Sequence, residues 1–199
     1  MIDIFSHRAI FHGVENSKKG IIYCIQSDFG IELDLRCDYR GVYLSHDLSE
    51  TGELFSDVCS FLQDSKSLVA LHIKELECIE KTVELLHQHD VKNCFLFDSN
   101  YEYILKKSSE FEVAFYANSE PEKNNAKFFW CDEVKEKWYS KNLIKKLHDE
   151  GKILYAVSRE LVGPTSMPKI IDDWKRLIDL GFDGICTDFP EKLNEFIKN

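Results

Sequence analysis

The sequence predicts an α/β protein with the architecture of a (β/α)8 TIM barrel. Short apolar segments alternate with amphipathic segments along all 199 residues, and the alternation is repeated eight times. Repeated alternation of strands and helices favours a parallel sheet, which closure into a barrel accommodates. No linker, low-complexity tract or fixed-period repeat interrupts the pattern. We therefore expect one compact domain over residues 1–199.

Nine segments have the length and the apolar content of strands. The eight barrel strands are predicted at 2–6, 30–35, 68–74, 93–97, 112–117, 127–131, 152–157 and 182–187. The ninth segment, 41–45, follows the second strand after a short turn. It predicts an extra hairpin strand after strand 2.

Seven segments between the strands have apolar residues at helical spacing: 18–27, 51–64, 77–89, 100–109, 140–149, 168–180 and 190–198. The clearest is 168–180, which begins at Pro168 and is followed by Gly181. The segment 119–126 is short and polar, and it predicts a loop. The chain is short for a barrel, so we expect its helices and loops to be short.

The composition limits the classes of partner. The formal net charge is −10, from 25 Lys and Arg against 35 Asp and Glu, so the surface repels nucleic acids and anionic membranes on average.

The seven Cys include no CxxC pair, which indicates reduced, buried thiols in a cytoplasmic protein. No apolar run approaches the roughly 18 residues of a membrane span, and we expect neither a signal peptide nor stable membrane insertion.

The second predicted strand carries charge on one face. Side chains alternate along a strand, so Glu32 and Asp34 share the face opposite Ile31, Leu33 and Leu35. The apolar face must meet the helices, which leaves the two carboxylates pointing inward. Paired oxygen ligands suit a hard cation such as Mg²⁺ or Ca²⁺.

Polar groups recur at the carboxyl ends of neighbouring strands, where barrel enzymes build their active sites. His72 and Lys74 face inward on the third barrel strand by the same alternation. His7 and Arg8 end the first strand, and His46 ends the hairpin strand. Two imidazoles can serve as the base and the acid of a displacement at phosphorus, while the cations neutralise phosphate oxygens.

Several short motifs occur in one order along the chain. They are His-Arg at 7–8 with Glu-Asn at 15–16, ELDLR at 32–36, SHD at 45–47, the lysine at 74, and GFDGICTDFP at 181–190. Taken together, this series resembles the glycerophosphodiester phosphodiesterase family of the PI-PLC-like phosphodiesterase superfamily. The motifs span nearly the whole chain.

The resemblance implies a metal-dependent phosphoric diester hydrolase. Its substrate would be a small glycerophosphodiester-like molecule, cleaved to an alcohol and a phosphomonoester. The residues that match the family's functional positions are His7 and His46 as the catalytic pair, Glu32 and Asp34 as metal ligands, and Arg8 and Lys74 as phosphate-binding residues.

The sequence departs from the family pattern at three places. His72 stands where the family usually has a third carboxylate ligand, and an imidazole ligand shifts metal preference toward Mn²⁺ or Zn²⁺. The family's lid-like insertion is missing, since 20 residues separate Asp47 from Leu68. The family's aromatic-Thr-Val-Asn motif reads YAVSREL at 155–161, where Arg159 is a candidate to bind a different leaving group.

Two other functions stay open. Related barrels with two histidines and a Glu-x-Asp pair, such as the phosphoinositide-specific phospholipase C group, yield a cyclic phosphate. A barrel that binds a phosphorylated metabolite without turnover is the other alternative, favoured by His72 and by the missing lid. Among the flanking residues, Asn16 is better interpreted as a helix N-cap than as a phosphate ligand, and Asp47 as the partner that orients His46.

Overall fold

The computed structural model describes residues 2–63, 65–108, 110–122, 124–134 and 136–198. The strands are β1 Asp3–Ser6, β2 Gly30–Asp38, β3 Gly41–Leu44, β4 Val69–Ile73, β5 Cys94–Asp98, β6 Glu112–Ala117, β7 Phe128–Cys131, β8 Ile153–Val157 and β9 Gly184–Thr187. The α-helices are α1 Lys18–Gln26, α2 Phe55–Leu62, α3 Cys78–Gln88, α4 Tyr101–Lys107, α5 Lys141–Asp149, α6 Met167–Leu180 and α7 Pro190–Lys198. Short 3₁₀ turns cover His7–Ala9 and Arg159–Leu161.

The strand order confirms the predicted fold class. The order is β1-β9-β8-β7-β6-β5-β4-β2-β3, and an additional pairing of β1 with β2 closes a ring of eight strands. Strand β4 runs parallel to β2, whereas β3 pairs with β2 in the antiparallel direction and lies outside the ring. This is a (β/α)8 barrel with the extra hairpin strand that the sequence predicts.

By its internal contacts the chain divides into two compact units. The first unit contains residues 6–113, and the second contains the start of the chain up to residue 5 together with the part that follows residue 113. The expectation of a single domain over 1–199 stays a prediction.

In the first unit, β2 has the predicted two faces. Ile31, Leu33 and Leu35 are fully buried on one face, while Glu32 and Asp34 are buried on the opposite face. Burying two carboxylates is costly unless other groups compensate their charge. The side chains that surround Glu32 and Asp34 therefore form the candidate functional site of this unit.

Helix α2 begins later than predicted, at Phe55 rather than at 51. The Leu44 N–H donates to the carbonyl of Glu53 at 2.8 Å, and Leu54 forms a bridge with Tyr43. Pairing with β3 thus uses the backbone groups that an earlier helical turn would need. The predicted helix ends at 64 and 109 fall on residues outside the described ones.

The second unit follows the sequence prediction closely. Helix α6 ends at Gly181, whose φ of 98° is the left-handed conformation that glycine adopts readily at a helix end. Trp174 of α6 is fully buried, and its indole N–H donates to Ser158 Oγ at 2.8 Å. Between 119 and 126, the described residues form no helix, as expected.

Two further expectations concern the cysteines, expected to be reduced and buried, and the helices, none of which was expected to span a membrane. All seven cysteines are free, and all except the partly exposed Cys37 are buried. Within the described ranges, every helix is too short or too polar to cross a lipid bilayer.

Candidate active site

Strand register brings three potential metal ligands together in the first unit. Strands β2 and β4 align Asp34 with His72 and Glu32 with Ala70. Since side chains at aligned positions of neighbouring strands project to the same face, Glu32, Asp34 and His72 meet there. Each offers a ligand atom, and these atoms lie within 4.8 Å of one another. We call these three residues the carboxylate–imidazole cluster.

Glu32 is a buried carboxylate with few compensating donors. Its Oε2 accepts the backbone N–H of Arg8 at 2.8 Å, and His7 Nε2 lies 4.0 Å from the same oxygen. Its Oε1 lies 3.9 Å from His72 Nδ1. Burial, and then the negative charge of Asp34, raises the pKa of Glu32. A cation between the two carboxylates would remove this repulsion.

Asp34 is buried too, but its donors keep it ionised. His72 Nδ1 lies 3.2 Å from Oδ1, Lys74 Nζ lies 3.6 Å from the same oxygen, and Arg8 Nε lies 3.1 Å from Oδ2. Burial alone would raise the pKa of Asp34, but the hydrogen bond and charge of His72, with Lys74 and Asn16, lower it. The predicted phosphate-binding residues Arg8 and Lys74 thus flank the cluster.

Asp98 is a further acidic neighbour of the cluster, and it was not predicted from the sequence. It ends β5, and its Oδ1 lies 3.6 Å from His72 Nε2. The His72 ring also stacks on Phe97, with centroids 4.6 Å apart. Burial opposes the charged ring, but the hydrogen bonds that the ring donates to the Asp34 and Asp98 carboxylates raise the pKa of His72. An acidic residue at the end of the next parallel strand is the signal that could have found Asp98.

Asn16 contacts Asp34 and does not cap a helix, so its interpretation as an N-cap is wrong. Its side-chain amide donates to Asp34 Oδ2 at 3.1 Å, and its Oδ1 accepts the Asp34 backbone N–H at 3.0 Å. The cap of α1 is Ser17, whose Oγ accepts the Gly20 N–H at 3.2 Å. Asn16 has φ +49°, outside the extended region that an N-cap adopts, whereas Ser17 lies within it.

The turn that carries His7 and Arg8 is held tightly against α1. A Cβ atom on Gly20 would lie 1.8 Å from the carbonyl oxygen of Ala9, so only glycine permits this approach. Arg8 and Ala9 both have positive φ, at 52° and 46°. Strained backbone of this kind persists where the surroundings enforce it, and it is frequent at functional sites.

His46 lies on the loop after β3. Its Nδ1 is 3.0 Å from Asp47 Oδ1, the contact expected of an orienting partner, and the side chain is 42% exposed. Two guanidinium nitrogens of Arg36 donate to the His46 carbonyl at 2.9 and 2.8 Å. His46 and Asp47 line a cavity of about 390 Å³ together with Arg8 and Asn16, the residues that contact Asp34.

Arg159 belongs to the second unit. Its backbone N–H donates to Asp173 at 3.2 Å, and it lines a cavity of about 380 Å³ with Glu133 and Arg176. The neighbouring Glu160 accepts hydrogen bonds from the Ser158 and Thr187 hydroxyls and from the Asp188 N–H. Glu160 is therefore engaged within the fold, and the substrate-binding role of Arg159 stays a prediction.

Comparison of the sequence with protein-family profiles and with curated proteins gives no match. Solved structures do match. A candidate glycerophosphodiester phosphodiesterase from Galdieria sulphuraria superposes with a TM-score of 0.82 at 16% identity, over 100% of this chain and 98% of that one. A glycerophosphodiester phosphodiesterase from Parabacteroides distasonis gives 0.72 at 13% identity, over 99% and 97%.

A Ca²⁺-dependent phosphatidylinositol-specific phospholipase C from Streptomyces antibioticus gives a TM-score of 0.64 at 10% identity, over 96% of this chain and 95% of that one. The resemblance inferred from the motifs is therefore confirmed for the fold, which this chain shares with phosphodiesterases of the PI-PLC-like kind. At such identities a structural match shows the fold alone, because one barrel fold supports many chemistries.

Proposed function

We propose that this chain is a metal-dependent phosphodiesterase that hydrolyses a small glycerophosphodiester-like substrate. The observation that carries the proposal is the buried pair Glu32 and Asp34, which meets the imidazole of His72 and the cations of Arg8 and Lys74. Such a set combines oxygen ligands for a metal with donors for phosphate oxygens.

The donor set fits a divalent cation. The ligand atoms of two carboxylates and one imidazole lie within 4.8 Å of one another. Burial, and then the negative charge of Asp34, raises the pKa of Glu32, and a bound cation would offset that repulsion. Glu32, Asp34 and His72 would hold the ion, with Mg²⁺ or Ca²⁺ favoured by the carboxylates and Mn²⁺ admitted by the imidazole. When bound, a divalent ion supplies Lewis-acid polarisation of a phosphoryl oxygen.

The chain's own residues would supply charge neutralisation and proton transfer. Arg8 and Lys74 would bind the non-bridging phosphate oxygens. One of His7 and His46 would take a proton from the attacking water, and the other would protonate the leaving alcohol. Since Asp47 engages His46 Nδ1, the nitrogen left to exchange a proton with the substrate is Nε2.

A cyclising reaction is the second candidate, favoured by the structural match to the Streptomyces antibioticus phospholipase C. In that reaction a hydroxyl of the substrate replaces water as the nucleophile. Phosphorus NMR of the products separates the two reactions, because a cyclic phosphate excludes direct hydrolysis.

The test of the proposal is a screen of glycerophosphodiesters with Mg²⁺, Ca²⁺ and Mn²⁺, with the phosphomonoester or cyclic product quantified. We expect His7→Ala to lower the rate by about 10²–10⁴-fold, the usual contribution of an acid–base group. The matched control is His87→Ala, an exposed histidine of α3 whose ring pairs with Glu110. An undiminished rate in His7→Ala, or a folded, metal-loaded wild type that cleaves none of the diesters, would contradict the proposal.

A further inference from the structure

We infer that the first unit contains a second metal site, which is formed by Cys37, Glu75 and Cys78 and selects a thiophilic divalent cation such as Zn²⁺. The ligand atoms of these residues lie within 4.8 Å of one another. Across the described part of the chain, this group and the carboxylate–imidazole cluster are the two that bring three such ligands together. The inference does not depend on the proposed function.

The three ligands come from elements that are fixed to one another. Cys37 lies in β2, Glu75 follows β4, and Cys78 begins α3. The Cys78 N–H donates to the Glu75 carbonyl at 3.0 Å, which places these two residues on one turn. The ligand positions are therefore set by β2, by its partner strand β4 and by the start of α3.

One carboxylate oxygen of Glu75 lies between the two cysteines. Oε2 accepts the Cys37 backbone N–H at 3.2 Å and lies 3.9 Å from Cys78 Sγ. An ion seated among the three side chains would have two sulfur ligands and one oxygen ligand, leaving a fourth position for water. Sulfur ligands favour Zn²⁺ over Mg²⁺ or Ca²⁺, which separates this site chemically from the first.

Arg36 balances the charge of the proposed site. Its Nη1 lies 2.6 Å from Glu75 Oε1, whereas the contacts with Cys37 and Cys78 are made by Oε2. Two thiolates and a carboxylate carry three negative charges, which a divalent ion and one guanidinium cancel. Ligating carboxylates are commonly held by such an outer partner. Partial exposure of Cys37 provides a path for the ion from solvent.

The test is a titration of the reduced, full-length chain with Cd²⁺, a spectroscopic substitute for Zn²⁺, followed by the ultraviolet charge-transfer absorption of cadmium bound to thiolate. We expect one equivalent to bind with this absorption and to be displaced by Zn²⁺. Cys37→Ser should abolish the absorption, and Glu75→Gln should weaken binding at least tenfold. Cys78 is buried, and Cys78→Ser can prevent folding. Cys37 is partly exposed and Glu75 lies in a loop, so we expect Cys37→Ser and Glu75→Gln to fold and to provide the test.

Two controls make the outcome decisive. Cys94→Ala removes a buried cysteine outside the group and should leave the titration unchanged. Glu32→Gln should also leave it unchanged, so that failure of the proposed function is distinguished from failure of this site. The inference is overturned if the wild type shows no thiolate absorption, or if the absorption survives in Cys37→Ser.

Discussion

Each unit contains a pair of acidic residues in which the pKa of one member is raised, but the two pairs have different surroundings. In the first unit, burial and the charge of Asp34 raise the pKa of Glu32. In the second unit, burial and the charge of Asp183 raise the pKa of Asp3. Asp3 begins β1 and Asp183 directly precedes β9, so this second pair lies at the amino ends of strands.

The difference lies in exposure to water and in cationic side chains. Asp183 accepts the Leu154 backbone N–H at 2.7 Å and lies 3.0 Å from His148 Nε2, and its side chain is 39% exposed to water. The Glu32 and Asp34 side chains are only 3% and 2% exposed, and they depend on cationic and imidazole side chains. An acidic pair that is partly exposed to water and bound by a backbone N–H and one imidazole supports the fold. A pair that is almost fully buried beside the cations of Arg8 and Lys74 is suited to chemistry.

The largest expected effect separates the two pairs by activity. Glu32→Gln removes a proposed metal ligand at nearly constant shape, and we expect the proposed phosphodiesterase activity to fall by about 10²–10⁴-fold, comparable with loss of an acid–base group. The matched change Asp183→Asn should keep activity within twofold. Initial rates of the folded variants at saturating Mn²⁺ provide the measurement. Equal losses of activity in Glu32→Gln and Asp183→Asn would contradict the assignment of the first pair to function and of the second pair to the fold.

The next effect concerns stability. Asp183→Ala leaves the Leu154 N–H without its side-chain acceptor, and we expect the free energy of unfolding to fall by about 1–3 kcal/mol. Urea denaturation measures this change, and Asp183→Asn, which keeps an acceptor oxygen, should lose less. An unchanged urea midpoint for Asp183→Ala would show that Asp183 does not stabilise the fold.

The smallest effect is a pH-dependent gain. Because the folded state raises the pKa of Asp3, ionisation of Asp3 costs stability as pH rises through that pKa. Asp3→Asn removes this cost, so we expect a gain of less than about 1 kcal/mol at pH 7, discounted for the exposure of Asp3 to water. The gain should vanish at a pH below the ordinary aspartate pKa of the unfolded chain, where Asp3 is protonated in both the folded and the unfolded state. A wild type that is more stable at pH 7 would contradict this reasoning.

The sequence predicted the fold and much of the site geometry because both depend on strand periodicity. Alternation alone brings Glu32 and Asp34 to the face that His72 and Lys74 share, and the register of β2 and β4 makes them neighbours. The nine strands and seven helices of the described residues were predicted for the same reason, since their apolar periods reflect burial.

The predictions failed where tertiary contacts decide local structure. Asn16 has the residue type of an N-cap, but a left-handed backbone and its hydrogen bonds to Asp34 give it another role. Helix α2 starts late because residue 53 pairs with β3. Asp98 was missed because its contact with His72 depends on the pairing of β4 with β5, and the only sign of it in the sequence is its position at the end of the next strand.

The central claim is that Glu32 and Asp34 hold a divalent cation. Its most direct test is a Mn²⁺ titration of the wild type, Glu32→Gln and Asp183→Asn, with free Mn²⁺ measured by electron paramagnetic resonance. We predict one bound Mn²⁺ per chain, affinity weakened at least tenfold by Glu32→Gln, and no change with Asp183→Asn. A wild type that binds no Mn²⁺, or affinity that is the same in wild type and Glu32→Gln, would contradict the account.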